Sequence, residues 1–382
     1  MSGVIRGTCH ALFAHDLALA INLDEAERIL APRPESTEQR EGIRGTRRSP
    51  KYFQFKPSPL RITTAASPMD IGTHKTAHAV DAVLYDFGAV SITYSIPFEC
   101  PLENLLHLSN ALYDNATLLA DARTRAERLA QTIASALKRP HLSPLVEDYV
   151  IFHFELPAAN VAEADSHHSP SSFIEEHRAL LAQILRAESG QLSPQEIDEA
   201  TASRTSYGPT DAAIVDWNGA ILLDPDPQDA HMALEFANVE LLEMRHLDDR
   251  LDAALDEAYD VLERDARATD STRWRPFSRP FTADLRRVSQ LQMESALLFE
   301  GVNNAIKLLG DQYLARVYRH AAQRLHLPEW DASILRKLAT LESIYEKLSD
   351  RQTNRRMETL EWIIIALIAF EIAMSVIDRV RG

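Results

Sequence analysis

Fourteen histidines and two cysteines are the side chains here best suited to hold a metal ion or carry a proton. Their spacing decides whether they can. His74 and His78 lie four apart, the interval that places two ligands on one helix face, but Pro68 and Gly72 just before them argue for a loop. His167 and His168 are adjacent and so face different ways. His320 and His326 follow Arg316 and Arg319 on helical sequence, the pattern of a helix surface. Neither Cys9 nor Cys100 has a C-x-x-C neighbour. Neither G-x-x-x-x-G-K-[ST] nor G-x-G-x-x-G occurs, so the usual phosphate-cradling loops are missing. Spacing alone yields no Ser/His/Asp set and no carboxylate pair. The sequence therefore assigns no catalytic, cofactor-binding or metal-ligating residue, and no cofactor. An enzyme would have to draw on His10, His15, His153 and Glu155 in the first half.

The totals bound the rest. A chain of 382 residues has room for two or three domains with ample core. Its formal charge of −16 argues against a general nucleic-acid surface, so no nucleic-acid partner is expected. Two cysteines fit a reducing compartment better than a disulfide framework. No signal-type apolar stretch opens the chain, so any membrane attachment is expected at the other end.

The elements that must carry these groups form an α+β arrangement. Residues 4–15 read as a strand and 24–30 as a short helix capped by Asn22 or Asp24. A proline-punctuated loop covers 31–59, with a second strand running from about Tyr52 to Thr63. Between Val80 and Ile96 the pattern turns into a clear sheet signal. Val90, Ile92, Tyr94 and Ile96 alternate with Ala89, Ser91, Thr93 and Ser95, and Gly88 marks a turn or bulge. A helix is expected over 101–137, a strand over 149–156, and a helix capped by Ser171 or Ser172 through Arg186. Asn218-Gly219, between AAIVDW and AILLD, predicts a hairpin with a type I′ turn.

From Asp229 onward the pattern is helical. Met244, Leu247, Leu251, Ala254, Ala258 and Val261 form a coiled-coil seam. Similar stripes recur over residues 285–309 and at Ile334, Leu338, Leu341, Tyr345 and Leu348, which predicts an antiparallel bundle. The expected domains are thus 1–228 (α+β, with the loop at 31–59), 229–356 (helical bundle) and 357–382 (a C-terminal hydrophobic, transmembrane helix).

That last helix dominates the functional reading. Trp362, Ile363, Ile364, Ile365, Leu367, Ile368, Phe370 and Ile372 make an apolar run flanked by Arg355 and Arg356. Residues 362–380 would span about 28 Å at about 1.5 Å each, close to the ~30 Å of a hydrocarbon core. Glu371 near its midpoint costs roughly 3 kcal/mol, about what the apolar side chains gain. A carboxylate so placed should turn toward another helix, which predicts a homo-oligomer or a protein partner. The alternative is a buried helix in a soluble bundle.

Three stretches carry a family resemblance: residues 83–90 (VLYDFGAV), 307–313 (KLLGDQY) and above all Leu360-Glu361-Trp362-Ile363-Ile364-Ile365 followed by Glu371. With them the chain resembles the required-for-meiotic-nuclear-division proteins, also called YagE-like. That resemblance implies an α+β first half, a helical second half and a membrane-spanning tail. The mitochondrial members of that family resemble inner-membrane tethers connected with organellar translation. The resulting expectation is a non-enzymatic scaffold tail-anchored in the cytoplasmic membrane, its bulk on the cytoplasmic side. The alternative is an enzyme or small-ligand-binding protein using the α+β half.

Overall fold

The structure, a computed structural model, describes residues 4–31, 44–46, 58–155, 169–271, 291–293, 296 and 312–381. The chain forms two compact units, Met1–His246 with Ala296–Asp331, and Leu247–Ser295 with Ala332–Gly382. In order, the elements are β1 (Val4–Asp16), β2 (Ala18–Ile21), α1 (Leu23–Leu30), β3 (Arg44–Thr46), β4 (Leu60–Ala65), β5 (Asp70–Ile71), β6 (His74–Lys75), β7 (Ala79–Leu84) and β8 (Ala89–Pro101). Then come α2 (Leu102–Leu112), α3 (Ala116–Thr132), β9 (Leu137–Pro140), β10 (Glu147–Glu155), α4 (Pro170–Arg186), α5 (Pro194–Ala200), β11 (Arg204–Thr205), β12 (Ala212–Val215) and β13 (Gly219–Leu223). Among the described residues, long helices follow: α6 (Gln228–Ser271), α7 (Gln312–Arg324) and α8 (Leu327–Arg381).

The first unit is built on β1. Its alternating side chains let both edges pair at length, with β8 on one side and β10 on the other. A nine-stranded mixed sheet results, in the order β11-β12-β13-β10-β1-β8-β7-β4-β3, parallel only where β10 meets β13. One face is apolar. Cys9, Ala11, Phe13, Ile92, Tyr94, Ile96, Phe152 and Phe154 bury against Leu105, Leu108, Leu118, Ala122, Ile174 and Leu181 of α2, α3 and α4.

The other face carries the small polar alternates, and these are not in water. Ser91 is 0% and Thr93 3% exposed, because α6 lies over them. Buried polar groups must be partnered, and α6 supplies Glu235, which accepts from Thr93 Oγ1 at 3.3 Å and meets Arg61 at 3.3 Å. The mixed α+β character expected from the sequence is therefore present, with polarity on both sides of the interface beneath α6.

Local chemistry sets the joints. Asn22 caps α1 by accepting from Glu25 N at 3.1 Å. Ser169, rather than Ser171 or Ser172, caps α4. The single helix expected over 101–137 is broken in two: Asp114 takes φ +50°, and Asn115 starts α3 by accepting from Leu118 N at 3.0 Å. The hairpin at Asn218-Gly219 forms, but neither residue has positive φ, so the turn is not type I′. Gly219 is needed for another reason. A Cβ there would lie 2.6 Å from the Val150 carbonyl oxygen of the parallel neighbour β10.

Gly88 is the stricter case. It turns the chain from β7 to β8 at φ +114°, and a Cβ would sit 1.7 Å from the Ala18 carbonyl oxygen. Gly88→Ala is expected to cost more than about 2 kcal/mol, since strain and a backbone clash add. The urea midpoint measures it, and an unchanged midpoint contradicts the turn.

The second unit buries part of the first stripe. Leu251, Ala254 and Ala258 of α6 are buried. Ile334, Leu338, Leu341 and Tyr345 of α8 bury likewise, and Lys337 bridges Asp248 at 2.8 Å and Asp252 at 2.6 Å. The stripe over 285–309 falls almost entirely outside the described residues.

The tail is a correction. Among the described residues no helix is long and apolar enough to cross a membrane. That overturns the anchor built from Trp362, Ile363, Ile364, Ile365, Leu367, Ile368, Phe370 and Ile372, with Glu371 inside it and Arg355 and Arg356 beside it. The single-pass placement in the cytoplasmic membrane goes with it. The physical reason is charge spacing within α8, a helix of 55 residues. Glu361 and Glu371 bracket only nine uncharged residues, 362–370. Those cover about 14 Å, less than half of a hydrocarbon core.

Candidate metal centre

Asp16 closes β1 and is 1% exposed. The chain leaving β9 runs back beside it: His141 N donates to Leu17 O at 2.8 Å, and Ser143 N donates to Asp16 O at 3.1 Å. From above, α6 brings His246. The result is a convergence on one oxygen. His141 Nε2 lies 2.7 Å and His246 Nε2 3.1 Å from Asp16 Oδ2. The three ligand atoms lie within 4.8 Å of one another, the one His/Cys/Asp/Glu set of this kind among the described residues. Metal bonds of about 2.1 Å in a tetrahedral site put ligand atoms ~3.4 Å apart, so the 2.7 and 3.1 Å contacts would open by a few tenths of an ångström around an ion. The two imidazole planes stack, 5.4 Å between centroids and 18° apart. His141 is 37% exposed in its side chain against 2% for Asp16, so the cluster opens to solvent on the His141 side.

Proton bookkeeping sharpens the picture. His141 Nδ1 faces the Arg139 carbonyl oxygen at 3.2 Å. A carbonyl only accepts, so when this bond is made the ring's proton is on Nδ1 and a neutral His141 presents a lone pair at Nε2. That lone pair points at a carboxylate oxygen 2.7 Å away. Two acceptors so close need a cation between them, a proton or a metal ion. Asp16 Oδ1 is also buried and has no hydrogen-bond partner among the described residues.

The surrounding contacts are those a ligand set requires. Ligating histidines usually spend their other ring nitrogen on a carbonyl or hydroxyl that fixes the ring. Here Arg139 O serves His141, and Ser143 Oγ serves His246 Nδ1 at 3.1 Å. Ser143 is 2% exposed and its oxygen also accepts from Leu145 N at 3.2 Å. Ser143→Ala is expected to weaken ion binding by about 10- to 100-fold, the usual cost of losing such a support. Isothermal titration reads it; an unchanged affinity removes Ser143 from the centre.

None of the three ligand residues was singled out by spacing. Asp16 and His141 stand 125 apart in sequence, and only the return of the chain from β9 joins them. The sequence did offer one weak signal, a histidine at 246 beside the seam positions Met244 and Leu247. Of the candidates named from sequence, His10 and His153 do come together, and His231 of α6 joins them. His10 and His231 make an edge-on ring contact at 4.7 Å. Burial first, then the charge of His153, pushes His10 down to about 4, and burial also pushes His231 well below its ordinary value. His10 Nδ1 is engaged by Ser95 Oγ at 3.1 Å and His153 Nε2 by Asp224 O at 2.9 Å.

His15 is fully buried away from that set, and Glu155 pairs with Arg6 at 3.5 Å on the surface. His74 sits in the two-residue β6, and His167 and His168 lie outside the described residues. Of the tail residues, Ile364, Ile365, Leu367 and Ile368 are each more than half exposed on α8.

With the geometry in place, comparison with known proteins places the first unit. Residues 6–230, more than half of the chain, match the family model described as "Uncharacterized protein MJ0711, N-terminal domain". The chain belongs to that family. A protein of Methanocaldococcus jannaschii, "Uncharacterized protein MJ0711", is 25% identical over 252 residues, 65% of this chain and 72% of the relative. No solved structure matches. The resemblance to the required-for-meiotic-nuclear-division proteins is overturned by this membership. Its strongest carrier, L-E-W-I-I-I, is an apolar helix segment of the kind many unrelated helices share. Of the three ligand residues, Asp16 and His141 lie inside the matched family region and His246 lies just beyond it.

Proposed function

We propose that this chain is a metalloprotein holding one divalent first-row transition ion, of the zinc or iron type, on Asp16, His141 and His246. One observation carries the reading: His141 has acceptors facing both ring nitrogens, and the second acceptor is shared with His246. Two imidazoles and a carboxylate suit such ions, and three protein ligands leave positions free. Structural sites of this class are usually closed by four protein ligands, so an open set supports a catalytic use. The ion would supply Lewis acidity there. The protein's part is to fix its ligands, through Ser143 and Arg139 O, and to leave one side open to solvent.

Titration of the chelator-stripped full chain with zinc or cobalt(II) tests this. One ion per chain is expected, with His141→Ala and His246→Ala each removing it. No uptake by the native chain ends the reading.

A second reading is favoured by the end of α8. Ile364 (55%), Ile365 (53%), Leu367 (61%) and Ile368 (51%) expose an aliphatic face, and such patches commonly mark protein association. On this reading the second unit is a scaffold that meets a second copy of the chain. Analytical ultracentrifugation is expected to show a concentration-dependent dimer; a strict monomer at high concentration removes it.

A further inference from the structure

An ion with free positions must be completed by something, and the charges beside the three ligands indicate what. Arg123 of α3 donates from Nη1 to Ser143 O at 3.2 Å, while its Nε faces Glu127 at 3.3 Å. Ser143 in turn holds both the Asp16 backbone and the His246 ring. The guanidinium is therefore one residue removed from two of the three ligands. Its side chain is 39% exposed, and Nη2 has no partner among the described residues.

A second arginine adjoins a ligand residue in sequence on α6. Arg245 directly precedes His246 and engages Glu147 through Nη1, with its side chain 41% exposed. Lys138 and Arg139 lie on the strand that leads into His141, and the Arg139 backbone touches that ring. Glu127 and Glu147 each pair with one of these arginines. The ion's protein ligands carry a single negative charge, and Arg123 beside them is cationic.

We propose that the ion-loaded centre binds a phosphate-class oxyanion, shared between the metal ion and Arg123. This rests on the metal reading above. A planar guanidinium offers parallel N–H donors that match the oxygens of a tetrahedral anion, and a metal ion takes a further oxygen. A phosphate group is thus the substrate feature the site would recognise.

The probe is inorganic phosphate, added to the full chain loaded with one equivalent of cobalt(II) and followed by the visible absorption of the ion. Saturable spectral change is expected for the native chain, with no phosphate binding by the ion-free protein. Arg123→Gln should weaken phosphate at least about 10-fold, the size of one lost charge-assisted hydrogen bond, while cobalt affinity stays the same. Arg123→Lys should recover part of the loss. If cobalt binds but phosphate leaves the spectrum unmoved, or Arg123→Gln binds phosphate as the native chain does, this inference fails and the metal reading stands. If cobalt is not taken up at all, the metal reading fails and the inference falls with it.

Discussion

Asp16→Asn is expected to lower ion affinity by more than about 100-fold, beyond the loss of a supporting contact, without weakening the ion-free fold. The two halves of that expectation come from one position. As a ligand, Asp16 is the only anion in the set, and an amide oxygen is a far poorer donor to a divalent ion. As part of the ion-free fold, it is a carboxylate 1% exposed with Oδ1 unpartnered among the described residues. Burying such a group costs free energy that an amide of the same shape largely avoids. Urea unfolding should therefore show native and variant chains of similar stability in chelator. With zinc at about 1,000 times its dissociation constant the native chain should gain about 4 kcal/mol, and the variant almost none. A variant that unfolds in chelator, or gains equally from zinc, contradicts this role.

Glu240→Gln should make the fold more stable at alkaline pH. Glu240 of α6 is 2% exposed and accepts a hydrogen bond from the Tyr318 hydroxyl of α7. Burial raises its carboxyl to about 8; Tyr318 opposes the shift and the charge of Asp331 adds to it. The folded chain thus holds this proton more tightly than the unfolded chain, whose value is 4.5. Its contribution to stability is complete below that value and is lost as pH rises toward 8. Each unit of separation is worth about 1.4 kcal/mol. At pH 9 the variant should exceed the native chain by on the order of 3–5 kcal/mol, and near pH 4 the two should be similar. Urea midpoints at the two pH values decide it. Equal stability at pH 9 would show that Glu240 is not held neutral.

The strand framework was legible because it follows local rules. Period-two alternation around Val90 and Ile92 marked the sheet, and Gly88 its turn, since both are consequences of backbone geometry within a few residues. The α6 stripe from Met244 to Ala258 was legible for the same reason at helical period. Three things were not. The alternates Ser91 and Thr93 read only as small and polar, because nothing local announces that Glu235, 142 positions beyond Thr93, will cover them. Gly219 was read for its turn when it serves a parallel neighbour, which only the tertiary pairing reveals. The tail was read from apolar density, and the interruption by Glu361 and Glu371 weighed more than that density.

The metal centre was illegible for a deeper reason. A site whose ligands come from a strand end, a returning loop and a distant helix leaves no interval to search for. His74 and His78, four apart, had the interval without the structure; His141 and His246 have the structure without the interval.

X-ray absorption at the metal edge tests the central claim most directly. The full chain loaded with one equivalent of zinc should show only nitrogen and oxygen neighbours at about 2.0–2.2 Å, with imidazole scattering from two rings. That shell should be absent from His246→Ala, which should retain no zinc. A shell containing sulfur, an all-oxygen shell, or an imidazole signal that survives replacement of both His141 and His246 would contradict a metal centre at Asp16.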